Sequence, residues 1–149
     1  MSNLTDLISA GGGGSASFPT IFLSKSQTWV PPQDGNIMIH VIGAGGSGST
    51  SAGNNATAGA AGGYCKKNTL AVTTSGSFTI VVGAGGSRVS GDTSGNAGGN
   101  STVAGTGLSS TLTANGGAGG VTNSYADVAG GSASGGDVNN TGGKAYYVD

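Results

Sequence analysis

Apolar residues in this chain come in short bursts separated by long stretches of glycine and small polar residues. Phe18, Ile21, Phe22 and Leu23 form a first cluster suited to a strand. Thr28-Trp29-Val30 reads as a strand stopped by Pro31-Pro32, because proline has no amide to give a ladder. Asp34-Gly35 is a turn signal, and Ile37, Ile39 and Val41 then alternate with Asn36, Met38 and His40 in the two-residue period of a strand. The pattern predicts a hairpin between 28–30 and 37–41, with Trp29 plugging the core beside its turn. Leu70-Ala71-Val72 and the run 78–82, joined through Thr74-Ser75-Gly76, predict a second hairpin. Each unit runs directly into Gly-Ala-Gly-Gly, at Gly43–Gly46 and again at Gly83–Gly86.

The glycine tracts carry a different period. Gly43 and Gly46, Gly59 and Gly62, Gly83 and Gly86, Gly95 and Gly98, and Gly116 and Gly119 each lie three residues apart. Three residues make one turn of a polyproline II helix, and glycines recurring on one face let such helices approach through their backbones. Collagen is excluded, since the repeat is interrupted and the chain has only 3 prolines. The expected fold is mostly β with glycine-rich polyproline II-like segments, a short N-terminal anchoring segment and little or no α-helix. Residues 1–10 place Leu4, Leu7 and Ile8 at helical spacing. Too short to hold a helix alone, they need a surface to dock on, and Gly11 to Gly14 supply a joint. Residues 1–14 are thus anchor and linker, and 15–149 the glycine-rich domain, with a continuation past Asp149 left open.

Composition sharpens this reading. With 33 glycines in 149 residues and 7% charged side chains, the chain has little to bury in an oily core and little charge to keep it open. A formal net charge of -1 and scattered cations give no basic patch, so nucleic acid is not an expected partner. No apolar run approaches the ~20 residues of a membrane helix, and no secretory signal is visible. Cys65 is the one cysteine, so no internal disulfide can form.

Candidate chemistry adds nothing catalytic. Gly43-Ala44-Gly45-Gly46-Ser47-Gly48 satisfies the dinucleotide fingerprint, yet no helical stripe follows it and Tyr64-Cys65-Lys66-Lys67 stands where the ribose-binding acid belongs. One histidine and one cysteine make no zinc set, and Asp92 lacks the acidic spacing of a calcium loop. Neither enzyme activity nor a cofactor is expected.

The phrases Gln27-Thr28-Trp29-Val30-Pro31, the run 39–46, Gly62-Gly63-Tyr64-Cys65, the run 77–86, the run 112–117 and Gly135-Gly136-Asp137-Val138-Asn139 together resemble the glycine-rich domain of bacteriophage tail fibres and related virion appendages. The resemblance covers the chain from about Gln27 onward. It implies a structural virion protein that helps a phage attach to its host, located on the tail or capsid. Its implied partners are other virion proteins, sister copies in a homotrimer, and a cell-surface receptor. In related T-even-like adhesins, polyglycine helices pack together and loops at one end touch the receptor. By that resemblance Leu4, Leu7 and Ile8 would dock to the particle. Tyr64, Tyr125, Tyr146 and Tyr147 are the aromatic candidates for receptor contact, though each also suits packing. Two alternatives stand beside the fibre: an adhesin capping another fibre, and a non-viral antifreeze-type structural protein.

Overall fold

A computed structural model describes residues 18–52 and 55–146. Among them the regular elements are all strands: β1 (Gln27–Trp29), β2 (Gly35–Ile42), β3 (Tyr64–Val72), β4 (Phe78–Val81), β5 (Ser101–Gly105), β6 (Leu112–Ala114), β7 (Ala133–Ser134) and β8 (Val138–Asn140). They form two antiparallel sheets, ordered β1-β4-β5-β6-β7 and β2-β3-β8. Alternation works as the pattern demands. Val41, Cys65, Leu70 and Val72 from one sheet meet Phe78, Ile80, Val103, Leu112 and Ala114 from the other in a single buried cluster.

Both predicted hairpins are corrected. Trp29 pairs with Phe78 in β4, not with β2, and β3 pairs with β2 while β4 belongs to the other sheet. The turn signals at Asp34-Gly35 and Ser75-Gly76 are real, but they mark corners where the chain changes sheet. Buried Pro31 helps force the first corner. The Asp34 carboxylate ties the two corners together by accepting the Thr74 amide at 2.8 Å. Trp29 does pack on the core, its ring centroid 5.7 Å from that of Phe78.

Each strand from β2 to β8 adjoins a glycine tract at the same end of the sandwich: 43–50, 56–63, 83–87, 93–100, 115–122, 128–132 and 142–145 in chain order. Strand registers carry straight into the tracts, but the bonds now recur every third residue. Beyond β2 and β3, Gly43 N donates to Gly63 O at 2.9 Å, Gly46 N to Ala60 O at 3.0 Å and Ser49 N to Thr57 O at 3.0 Å. Beyond β5 and β6, Gly98 N donates to Gly117 O at 2.9 Å and Gly95 N to Gly120 O at 2.7 Å. Three residues per repeat is the polyproline II turn, so the tracts are polyproline II helices laid side by side.

A second set of bonds joins the two layers. Gly117 N donates to Ala44 O at 2.9 Å and Gly120 N to Ser47 O at 2.8 Å, while Ala60 N donates to Ala118 O at 2.9 Å and Gly63 N to Asn115 O at 2.8 Å. Sandwich sheets ordinarily stand ~10 Å apart because side chains fill the gap. Here the inward positions are glycine, the gap closes, and the main chains bond across it. Tract 115–122 lies at the centre, bonded to 43–50, 56–63, 93–100 and 128–132. A Cβ on Gly117 would fall within 3.0 Å of the Ala60 carbonyl, and one on Gly116 would meet Gly98 as closely. Gly45, by contrast, faces outward, and its nearest neighbour would be Ala60 O at 3.7 Å. A small apolar group, Ala60, Val128 and Ala145, is buried among the tracts, with Ala118 and Val121 packed against it.

Two ionisable side chains are perturbed. Burial pushes the Cys65 thiol up, against smaller opposing bonds from the backbone at Thr113 and Gly136; its sulfur donates to Ser134 O at 3.2 Å. The Lys67 ammonium, 2.8 Å from Asp137, and the Asn68 amide hold the Asp137 carboxyl below its usual range. Cys65 is therefore a fully buried free thiol.

Candidate functional site: the loop pole

The strand–tract arrangement gives the molecule two poles. At the strand pole lie the corners 30–34, 73–77, 106–111 and 135–137; at the tract pole lie Ser51, Ala52, Asn55, the loops 88–92 and 123–127, and Tyr146. The described chain also begins at the strand pole, where the Phe18 ring lies against Gly35 at the start of β2.

Loops at the tract pole are tied to one another. Thr50 and Thr93 exchange backbone bonds at 3.0 and 3.1 Å, and the Thr50 hydroxyl bonds the Gly91 carbonyl. Asp92 accepts the Ala52 amide, Asn123 N donates to Asn55 O at 2.9 Å, and the Thr122 hydroxyl donates to Thr50 O at 3.0 Å. Gly91 and Asn123 have positive φ, 73° and 52°, the backbone form glycine and asparagine adopt most readily. These ties fix the loops as one surface before any ligand arrives, which lowers the ordering cost of binding.

On that surface Tyr125 and Tyr146 are 70% and 63% exposed. Both flank the Val128–Ala145 bridge, so two of the four predicted tyrosines share the pole. Tyr64 does not. It opens β3 on the outer face of its sheet, with its hydroxyl 2.8 Å from His40 Nδ1. Tyr147, Leu4, Leu7 and Ile8 lie outside the described residues. The pole also presents Arg88 and Asp127, both exposed, which sequence reading did not single out. The signal for them was the gap in glycine spacing between consecutive tracts.

Four amides of the dinucleotide-like run are already bonded within the fold. Gly43, Ala44, Gly46 and Ser47 donate to Gly63, Gly99, Ala60 and Asn96 respectively, and the run continues as polyproline II where a phosphate-binding helix would have to start.

A sandwich whose core gives way to a two-layer array of glycine helices, closed by tethered loops, defines a glycine-rich domain with a strand pole and a loop pole. Residues 22–147 match the family described as glycine-rich domain, and the chain belongs to that family. No curated protein shows significant similarity to it.

Proposed function

We propose that this protein is a structural virion component of a bacteriophage, a tail fibre that docks through its N-terminal leader and presents the loop pole to the host. The observation that carries this reading is polarity. The chain enters at the strand pole beside Gly35, while the tethered loops with Tyr125 and Tyr146 lie at the other end. The bonded glycine array between them supplies stiffness without bulk. The loops carry Ser, Gly and Asn beside the exposed Tyr125 and Tyr146, a combination that serves binding surfaces because tyrosine gives contact area at low entropic cost. Resemblance to phage fibre domains supplies the context, together with assembly as a homotrimer among other virion proteins, with no catalytic role.

The exposed tyrosines also favour the adhesin alternative, in which the protein caps another fibre. Deleting residues 1–14 separates the two: a docked fibre is lost from purified particles, whereas a cap held by other surfaces stays. Phage carrying Tyr125→Ala and Tyr146→Ala together should assemble normally and adsorb to host cells at least tenfold more slowly. Normal adsorption by that variant, or absence of the chain from particles by labelled electron microscopy, overturns the proposal.

A further inference from the structure

The two sheets differ in what they turn outward. The five-stranded sheet turns Thr28, Thr79, Thr102 and Thr113 outward, a mainly polar face that also carries Val81, 43% exposed. On the outer face of β2-β3-β8, Met38 and Ile42 are 54% and 63% exposed, and Val138 is 36% exposed. Ladder register sets these apolar side chains around a polar centre: Ile42 is opposite Tyr64, His40 opposite Lys66, and Lys66 opposite Val138. Lys66 carries the fixed charge of the patch and sits at its middle. Lys67, its neighbour in sequence, is paired with Asp137, but no ion pair is formed by Lys66 among the described residues.

We propose that this face is the docking surface of the chain's own leader, residues 1–10. The chemistry is complementary: Leu4, Leu7 and Ile8 match Met38, Ile42 and Val138, and Asp6, the leader's one carboxylate, matches Lys66. A second copy of the same face would instead bring two Lys66 ammoniums together at the centre of the contact. Reach is sufficient. Phe18 lies at the foot of this sheet, against Gly35, and the residues from Ala10 to Phe18 extend ~26–29 Å at 3.3–3.6 Å each. β2 itself, 8 residues long, spans about 27 Å. Leader side chains buried on the sheet are withheld from any other surface, so the free protein stores its anchor on its own flank. The docking is a property of the isolated chain and holds whether or not the phage reading does.

The test is the rate at which an acetylating reagent modifies Lys66 in the intact folded chain, with Lys25 and Lys144 as internal references, read by peptide mass spectrometry. Deleting residues 1–14, or introducing Leu7→Asp in the full-length chain, should raise Lys66 modification severalfold and leave Lys144 unchanged. Asp6→Lys should do the same, and Asp6→Lys combined with Lys66→Asp should restore protection of Met38 from peroxide. Equal Lys66 reactivity with and without the leader overturns the proposal. So does protection that disappears on dilution, which would assign the face to a second copy.

Discussion

The central tract is where the backbone-packing argument can be tested most sharply, by Gly117→Ala. Gly117 donates to Ala44 O and accepts from Gly98 N, both at 2.9 Å, and its neighbour Ala118 accepts from Ala60 N at 2.9 Å. A Cβ there would fall inside the Ala60 carbonyl, within 3.0 Å, and both partners are main chain, so no side chain can swing away. Tract 115–122 must move off its neighbours. Disrupting two to three backbone bonds at about 0.5–1.5 kcal/mol net each, with about 1–3 kcal/mol of overpacking strain, predicts a loss of roughly 2–7 kcal/mol. At about 2–4 °C per kcal/mol for a chain of this size, Tm should fall by roughly 5–30 °C. Gly45→Ala is the matched control, adding the same methyl where the nearest atom is 3.7 Å away and φ is not positive. It should be neutral, or stabilising by up to ~1 kcal/mol through reduced freedom of the unfolded chain. Urea melts of both variants, with amide exchange at Ala44, Ala60 and Gly98, measure the difference. Equal stability of the two variants would show that the tracts do not depend on contact between bare backbones.

Other outcomes follow from the sandwich. Phe78→Ala removes a ring that is 1% exposed and packed on Trp29, and should cost about 3–5 kcal/mol in denaturant melts. Asp137 is held ionised by Lys67 in the folded state, so its contribution is present above the ordinary carboxylate pKa and is lost as pH falls through its depressed value. Asp137→Asn should therefore flatten the acid limb of a stability–pH curve and leave its neutral region nearly parallel. Cys65, buried with a raised pKa, should resist iodoacetamide at pH 8 in the native protein and react at the rate of a free thiol in 6 M urea; fast native labelling would contradict its burial.

Much of the fold was legible because two periods coexist in the sequence. Alternation at Ile37, Ile39 and Val41 marked β2, and it survived because one face is buried against Cys65 and Leu70. Glycines three apart marked the inward positions of the tracts, where Gly43, Gly46, Gly95 and Gly98 each meet a neighbouring carbonyl. Partner choice was not legible. A turn signal such as Asp34-Gly35 fixes where a chain bends, not whether it returns to the same sheet, and here the Asp34–Thr74 bond sets a corner between sheets. The loop pole was half legible. Tyr125 and Tyr146 stood out as aromatics in a chain of small residues, while Tyr64 has the same chemistry but a strand position that sends it to the flank.

Continuity of register explains how sheet and glycine array can be one structure. A ladder fixes the relative position of two chains at their junction, so the tract that follows inherits a partner and needs no pairing code of its own. Gly43 faces Gly63 because Ile42 already faces Tyr64. Low-complexity sequence would otherwise slip, since a glycine tract shifted by three residues presents nearly the same faces. Specificity therefore comes from the strand half, through side chains such as Phe78, Leu112 and Val41 that fit one register only. Stiffness comes from the tract half, through bonds such a chain could make in several registers. Slippage is resisted by the exceptions to the repeat, where Ser49 Oγ bonds Val121 O at 2.8 Å and Thr57 Oγ1 accepts Val121 N at 2.7 Å. Those hydroxyls fit only where the strands have placed them, so they lock at the loop pole the register that the core set at the other.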